Sequence, residues 1–467
     1  MAELTAQGAA TQSYSYLRPS ALDGGLLGLS TSGGTTSAGP QAHPYFFSGL
    51  LTRAAPAAAA LLGLADVAQT RYHRPRPTVS RDPVVTCGGD RLRLESFSEC
   101  GSVYARLDVL EPALDGEVHE RGTTNVDVNG PLRKALARVG GSDPLHLAVG
   151  TDEMAVTTAD GAVVEKKVPL PDRWLRGFAE VQAITSGFDL RGELRAADAV
   201  RFLRSLSPGR GETLWALPAA RTLRLTSRPA PGAVCLAGPR RLQTMLPLLR
   251  FAKALRVYGP PVDGGSDAVS SVWELELPGM RYVLALSPRP SRGFSGEGTV
   301  LDALSTDEVA ADADLVSAML SFDPVIDVGA LSERCGLDPA RTRAALTQLG
   351  TAGRVGFDTA EAAFFHRELP YDPAHVAALN PRLRSARALA ENGSVRFTGD
   401  NVAHVATGDG VRTVEFNGDR ATCTCTWWHR HRGRRGPCKH VLAARIVRRD
   451  TAPAGTALGD TEPEEAR

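Results

Sequence analysis

The sequence predicts an α+β protein of several domains. Its 467 residues are 43% hydrophobic and 22% charged, as in ordinary soluble proteins, and the length suits about two to four domains. Short β-rich runs alternate with helical apolar stripes in the middle of the chain, and cysteines cluster near the C-terminus. Changes in composition divide the chain into five segments, which are residues 1–40, 41–305, 312–368, 394–449 and 450–467.

Both ends of the chain are expected to be disordered. Residues 1–40 are rich in Ser, Thr, Gly and Ala, above all from Ser30 to Pro40. Such a segment buries too little apolar surface to offset the entropy lost on ordering. Residues 450–467 combine small residues with acids and predict a disordered acidic tail.

Residues 41–305 begin with a strand–helix–hairpin order. Dense Ala and Leu predict a helix from Pro44 to Tyr72, and β-formers then predict strands at Val84–Cys87 and Val103–Leu107. Asn129-Gly-Pro131 predicts the start of a second helix. The pair Asp160-Gly161 lies between two β-rich runs and predicts a hairpin.

A similar order recurs further along this region. Ala233–Leu236 predicts a strand. A helical stripe with a kink at Pro247 is predicted from Leu242, Met245, Leu246 and Leu249. Val272–Leu277 and Tyr282–Leu286 then predict a hairpin that turns at Pro278-Gly279. The two units suggest related halves, and the arrangement resembles the subdomains of DNA sliding clamps. An α+β region of no particular family is the alternative.

Residues 312–368 predict three short helices followed by two strands. The helices are expected at Leu315–Phe322, Val328–Cys335 and from Ala340 to about Gly350, with Asp338-Pro339 capping the third. This order resembles a winged helix, whose third helix can enter a major groove. On that resemblance Arg341, Arg343 and Gln348 would form the exposed side of the helix, and a protein contact is the alternative use of the segment.

The remaining cysteines and the hydropathy predict a cytoplasmic protein. Cys87, Cys100, Cys235 and Cys335 are isolated in sequence and are expected to be small buried hydrophobes. Sparse cysteine suits a reducing compartment. The longest apolar stretch, Ala54 to Val67, is shorter than the about 20 residues that a membrane span needs, and Pro56 and Asp66 interrupt it. No signal peptide is expected.

The strongest motif consists of two pairs of potential metal ligands near the C-terminus. Cys423 and Cys425 lie in a β-rich run, where residues i and i+2 point to the same face. Cys438 and His440 follow at the predicted start of a helix. Three thiolates and one imidazole form a complete tetrahedral set for Zn²⁺ without an open position for water. His429 and His431 are alternative fourth ligands.

Cys-x-Cys followed by Cys-x-His in a strand-then-helix context resembles a SWIM-type zinc finger. The resemblance covers about residues 394–449 and implies a small ββα unit closed by zinc, with His440 as the fourth ligand. Proteins of this architecture are similar to a bacterial group that includes SWIM-finger proteins encoded near MoxR-type ATPases and von Willebrand A-type proteins. That similarity implies a role as a protein-interaction adaptor, and the Ala-, Gly- and Arg-rich composition also suggests a bacterial source.

Between the ligand pairs lies a basic, aromatic loop. Guanidinium groups bind phosphates and aromatic rings stack on bases, so the loop predicts nucleic-acid binding, with DNA as the tentative partner. An acidic protein, or the chain's own acidic tail, is the alternative partner. The candidate contacts are Trp427, Trp428, Arg430, Arg432, Arg434, Arg435 and Lys439.

Catalysis is not expected. The sequence has neither a phosphate-binding Walker loop nor an HExxH motif, and the glycines around Ser295 are misplaced for a nucleophile elbow. The acids Asp127, Asp312 and Asp314 lack partners at catalytic spacing. We therefore expect a non-catalytic zinc protein that recognises nucleic acid, with a protein-interaction adaptor as the alternative.

Overall fold

The computed structural model describes residues 16–73, 82–140, 144–150, 172–207, 213–301, 309–369, 381–418, 420–433 and 435–450. The chain divides into two compact units, residues 1–300 with 309–376, and residues 301–308 with 377–467. Helices and five β-sheets occur together in the described residues, so the predicted mixed α+β class is confirmed.

The first unit contains strands β1 to β20 and helices α1 to α7. Its strands are Ala21–Asp23, Leu26–Leu29, Gly34–Thr36, Gly39–Gln41, Phe47–Leu51, Val84–Cys87, Arg91–Phe97, Val103–Leu110, Leu114–Val118, Gly122–Asn125, Leu145–Val149, Asp189–Arg195, Thr213–Ala219, Thr222–Thr226, Val234–Ala237, Ala254–Gly259, Ser271–Leu277, Met280–Leu286, Val355–Asp358 and Ala363–His366. Its helices are Ala54–Gln69, Gly130–Leu136, Asp172–Thr185, Ala196–Ser205, Ala310–Met319, Val328–Cys335 and Pro339–Thr351.

A ten-stranded sheet forms the centre of this unit, in the order β12-β16-β17-β18-β8-β7-β6-β10-β3-β4. The predicted hairpin of β17 and β18 is confirmed, with Val272 opposite Ala285. Strand β18 continues the sheet by pairing with β8, where Met280 lies opposite Val109. Leu61 and Leu64 of α1 pack in the same core as Leu275 and Leu284, so the helix covers one face of the sheet.

Several predicted elements of this unit differ from the structure. The described part of residues 1–40 is not disordered but contains β1 to β4, because Leu27 and Leu29 bury their side chains in the common core. The predicted helix of residues 44–72 begins only at Ala54, because Phe47–Leu51 pairs as a strand with Leu145–Val149. The hairpin predicted around Asp160-Gly161 lies outside the described residues.

The predicted helical stripe around Pro247 is a 3-10 helix, Pro239–Phe251, rather than a kinked α-helix. Proline lacks the backbone N–H that an α-helical turn uses, which favours the tighter conformation. At Asn129 the predicted helix start is confirmed, since the side-chain oxygen accepts a hydrogen bond from the Leu132 N–H at 2.9 Å.

The three short helices and the hairpin at residues 310–366 form in the predicted order. Asp338 caps α7 by accepting hydrogen bonds from the N–H groups of Ala340 and Arg341. Arg341 is exposed but holds Asp312 through two hydrogen bonds, of 2.6 and 2.9 Å. Gln348 is only half-exposed, and its Oε1 atom is buried, so its predicted place on an exposed face is wrong. Arg343 is exposed.

The hairpin of β19 and β20 packs on the ten-stranded sheet through buried charges. Asp358 of the hairpin lies 2.7 Å from Arg281, 2.9 Å from Arg106 and 3.1 Å from Arg93 of the sheet. The Arg93 guanidinium also lies 4.1 Å from the ring centre of Phe365. The hairpin is therefore part of the core of this unit and does not project as a free wing.

The described residues of the second unit form one antiparallel sheet and three helices. Its strands β21 to β24 are Val395–Phe397, Val402–Thr407, Gly410–Asn417 and Arg420–Cys423, and its helices α8 to α10 are Pro381–Glu391, Thr426–His431 and Lys439–Asp450. In the described residues of both units, no helix is long and apolar enough to cross a membrane.

Candidate metal centre

The first ligand pair lies where the sheet of the second unit ends. Cys423 is the last residue of β24 and lies opposite Val414 of β23. Cys425 follows as the N-terminal cap of α9, and its Sγ atom accepts a hydrogen bond from the Trp428 N–H at 3.3 Å. Cys423 at the end of the strand and Cys425 at the helix cap two residues later therefore bring both sulfur atoms to one place, as the Cys-x-Cys spacing predicts.

The second pair lies at the start of α10. The Cys438 carbonyl accepts the first helical hydrogen bond from Leu442 at 3.1 Å, and its Sγ atom lies 3.5 Å from the Val441 nitrogen, which donates to it. His440 extends from the first turn of the same helix. Helix starts favour negative charge, so this position suits a thiolate.

The four side chains converge on one buried point. Their ligand atoms all lie within 4.8 Å of one another. The Nδ1 atom of His440 is 3.8 Å from the Cys423 sulfur and 3.9 Å from the Cys438 sulfur. A tetrahedral zinc site with Zn–S of about 2.3 Å and Zn–N of about 2.0 Å has edges of roughly 3.5 to 3.8 Å. The donor set and its spacing therefore fit Zn²⁺.

The three sulfur atoms influence one another's pKa values. The hydrogen bond with Cys423 lowers the pKa of Cys438 to about 4, whereas the same contact raises the pKa of Cys423 far above its usual range. Burial raises the pKa of Cys425 as well. Thiols must lose their protons to bind Zn²⁺. A divalent cation would replace those protons.

The residues between the ligand pairs form a helix where a loop was predicted. Trp427, on α9, packs inside the finger: its ring lies 4.7 Å from the Arg382 guanidinium, 5.1 Å from that of Arg435 and 4.4 Å from the His431 ring. Trp428 is half-buried and packs in the same core. The structure therefore places both tryptophans in the packing of the finger, not on an open surface.

The predicted cations divide into two groups. Arg430, Arg432 and Lys439 are exposed, whereas Arg435 is half-buried against Trp427. Arg434 lies outside the described residues. Gly433 follows the end of α9 with φ of +76°, and a Cβ atom there would lie 3.2 Å from the Trp428 ring, so this turn requires glycine.

The two alternative histidines do not lie in the cluster. His429 is exposed at the surface of α9, and the His431 ring contacts Trp427 in a tilted arrangement. His440 is the imidazole that meets the three sulfur atoms.

Helix α8 was missed by the sequence analysis. Leu383 and Ala386 pack against Leu442 and Ala443 of α10. Arg382 donates from Nη1 to the carbonyl oxygens of Arg435 at 2.5 Å and Pro437 at 3.2 Å, and it stacks on Trp427. The apolar i, i+3 spacing of Leu383 and Ala386 was the available signal for the helix, but nothing local indicates the role of Arg382.

Replacing Arg382 with alanine should loosen the loop that leads to Cys438. Two carbonyl groups lose their donor and Trp427 loses a stacking partner, which together should destabilise the finger by about 1–3 kcal/mol. We expect faster zinc release to a chelator, followed with a zinc-sensitive dye. Arg384→Ala, an exposed arginine on the same helix, is the matched control. Equal release rates in the two variants would contradict the role given to Arg382.

Residues 410–446 match the model of the SWIM zinc finger family, and all four Cys and His residues lie within the match. The predicted SWIM-type finger is therefore confirmed, and a zinc-binding function follows for this segment. No curated protein matches the chain.

Among solved structures, the chain is similar to the Proliferating Cellular Nuclear Antigen from Entamoeba histolytica. The two share 12% sequence identity with a TM-score of 0.32, over 52% of this chain and 99% of that chain.

Proposed function

We propose that the zinc finger binds nucleic acid, with DNA as the first candidate, by contacting phosphates, and that the chain is not an enzyme. The observation that carries this proposal is the concentration of positive charge. Residues 377–450 contain 14 Arg and Lys against 6 Asp and Glu, whereas the whole chain has 53 against 52. A local basic surface on a neutral chain is typical of binding to a polyanion.

The exposed cations come from all parts of the finger. Their exposed positive charges suit contacts to phosphate oxygens. The aromatic rings that would stack on bases are half-buried and pack against the core of the finger. The expected contacts are therefore to the backbone, with little preference among sequences. The exposed basic residues are Arg384, Arg387, Arg396, Arg420, Arg430, Arg432, Lys439 and Arg448.

Zinc has a structural role in this proposal. The four ligands fix β24 to the start of α10, and the segment with Arg430 and Arg432 lies between them. A closed four-ligand set keeps no position for a reacting water, which supports a non-catalytic site.

A salt titration tests the nucleic-acid proposal. Binding to double-stranded DNA should weaken steeply with salt, because each phosphate contact releases counterions. The variant with Arg430→Ala, Arg432→Ala and Lys439→Ala should bind more weakly and lower the magnitude of the log–log slope by about 2 to 3. Fluorescence anisotropy with a labelled duplex measures both quantities.

The matched control replaces three exposed arginines of the other unit, Arg195, Arg224 and Arg228, with alanine. This variant loses the same charge and should keep the wild-type slope. Absence of binding at low salt, or an equal loss in the two variants, would sink the proposal. A single-stranded ligand of the same length should bind no more tightly, since the tryptophans are packed.

A protein-interaction adaptor is the second candidate. It is favoured by Leu26 and Leu50 of the first unit, which are 49% and 42% exposed and lie on either side of His146 in the five-stranded sheet. On the resemblance to bacterial proteins of this architecture, the partners would be a MoxR-type ATPase and a von Willebrand A-type protein in the cytoplasm. A zinc-loaded protein that fails to bind DNA would direct attention to this role.

We also propose that residues 41–305 consist of two related, clamp-like halves. Support comes from the pairing of β8 with β18, which joins strands of the two halves into one sheet. Each half also packs a helix on that core, α1 in the first and Pro239–Phe251 in the second.

A further inference from the structure

A groove with a volume of about 640 Å³ lies between α1, α2 and the 3-10 helix Pro239–Phe251 of the first unit. Helix α1 lines the groove from Ala55 to Gln69, and the segment from Gly130 to Val139 adds a second wall. Pro247 and Arg250 of the 3-10 helix add a third wall. Pockets of this volume between helices are typical of sites that bind small molecules.

Most of the residues that line the groove are apolar. Ala59, Leu62 and Val139 are half-buried, and they pack against the core of the unit as well as lining the groove. Pro247, which is exposed, continues this apolar surface on the 3-10 helix. A ligand that removes such surface from water gains free energy, so the groove favours a ligand with an apolar body.

The charged side chains of the groove have a positive excess. Asp66 is paired with Arg133, whose Nη2 atom donates to the Asp66 Oδ1 atom at 2.5 Å. Lys134 and Arg250 are exposed, and neither forms an ion pair within the described residues. These two cations lie on different walls of the groove, and a ligand with a negative head group complements them.

The dimensions of the groove suit a single extended chain. An α-helix rises about 1.5 Å per residue, so the lining from Ala55 to Gln69 is about 21 Å long. Spread over that length, 640 Å³ corresponds to a mean cross-section of about 30 Å². A helix with its side chains is about 10 Å wide and would not enter so narrow a groove, whereas an alkyl chain would.

We propose that this groove binds a free long-chain carboxylate. The alkyl chain lies along α1 between the apolar walls, and the carboxylate is attracted by Lys134 and Arg250 at the exposed rim. Binding is reversible, and no bond is made or broken. The site belongs to the first unit and does not depend on the zinc finger or on its proposed binding of nucleic acid.

Calorimetric titration of the full-length, zinc-loaded protein with tetradecanoate, below its micellar concentration, tests the proposal. We expect saturable binding with a negative heat-capacity change, because apolar surface is buried. Tetradecyltrimethylammonium has the same chain and the opposite charge, and it should bind at least about tenfold more weakly. The buffer contains a reductant because Cys100 and Cys335, contrary to the sequence prediction, are not fully buried.

Two double variants separate the rim of the groove from the general charge of the protein. Lys134→Ala with Arg250→Ala removes both rim cations and should weaken the binding of tetradecanoate by about threefold to tenfold. The matched control is Arg53→Ala with Arg138→Ala, which removes two exposed arginines that do not line the groove. This control loses the same charge and should keep the wild-type affinity.

A third variant, Ala59→Phe, places a ring in the groove and should weaken binding at least about tenfold. Wild-type affinity in an Ala59→Phe protein with a native circular dichroism spectrum would overturn the proposal. If that variant does not fold, the two double variants decide, and an equal affinity in both would overturn it. Absence of tetradecanoate binding to the wild-type protein, or equal binding of the two amphiphiles, would do so without any variant.

Discussion

Replacing Cys423 and Cys425 with serine should abolish zinc binding and unfold the second unit locally. Two of the four ligands would be lost, and the two that remain cannot complete a tetrahedral set. Structural zinc contributes about 10–16 kcal/mol to the folding of small fingers at neutral pH, far more than a small core of Val405, Val414 and Val441 can replace. Elemental analysis should fall from about one zinc per chain to nearly none.

The tryptophans give an independent signal of unfolding. Because Trp427 is packed between Arg382, Arg435 and His431, the loss of zinc should shift its fluorescence to longer wavelength. Cys335→Ser, which changes a cysteine of the other unit, is the control and should keep the wild-type zinc content. Retained zinc in the double variant would show that the ligands are misassigned.

The metal centre could be predicted from sequence because its determinants are local. Cys423 and Cys425 lie two residues apart where a strand ends, and Cys438 and His440 lie two residues apart where a helix starts. Joining the two pairs required only the known preference of zinc for thiolate and imidazole. The same local logic correctly predicted the cap at Asp338 and the hairpin that contains Val272.

The surroundings of the metal centre could not be predicted in this way. Arg382 lies more than forty positions before Trp427 in the chain, and only the packing of α8 on α10 brings them together. Arg and Trp residues near one another in sequence have the same pattern whether they bind a ligand or each other. The pattern therefore predicted a basic segment correctly, but it could not indicate which of its side chains are exposed to a ligand and which pack against each other.

The N-terminal strands illustrate the same limit. The segment around Thr35 reads as a polar linker, yet β3 pairs with β10, where Thr35 lies opposite Thr123. The buried Thr124 hydroxyl donates to the Ser32 carbonyl oxygen at 2.7 Å. These polar side chains are ordered by partners about ninety residues away, which no local composition rule includes.

The third helix, at residues 339–351, was predicted to resemble the DNA-reading helix of a winged helix. The neighbouring hairpin, however, does not project as a free wing. Asp358 and Phe365 attach the hairpin to the large sheet. Arg341 and Arg343 are both exposed, but Arg341 is engaged with Asp312. The finger is therefore the better candidate for nucleic-acid contact.

Asp358→Asn should be strongly destabilising for the first unit. The carboxylate is 1% exposed and lies among Arg93, Arg106 and Arg281. The same arginines also lie beside a second carboxylate, that of Asp108. Burial opposes the ionisation of Asp358, but the arginines prevail and hold its pKa far below the usual range. The amide keeps the shape but removes the charge, so the three guanidinium groups are left with Asp108 and, at Arg281, with the partly exposed Glu361. Loss of one partner from a buried ion pair costs about 3–5 kcal/mol.

The pH dependence follows from the lowered pKa. A carboxyl group with a depressed folded-state pKa contributes its stability at pH values above its unfolded pKa of about 3.9, and that contribution is lost as pH falls below it. The difference between wild type and Asp358→Asn should thus be constant from about pH 5 to 8 and shrink in stronger acid. Urea denaturation followed by circular dichroism at several pH values measures it.

The matched control is Glu361→Gln on the same hairpin. Glu361 is 27% exposed and contacts Arg91 at 2.6 Å and Arg281 at 3.2 Å, so its loss should cost no more than about 1 kcal/mol. If Asp358→Asn were as mild as this control, the hairpin would be held mainly by the apolar contacts of Val355 and Phe364, which belong to the core of the three helices. The helices could then move with the hairpin away from the sheet. A large loss of stability in Asp358→Asn instead means that the sheet and the hairpin fold as one structure. Helix α7 then keeps a fixed position relative to the sheet.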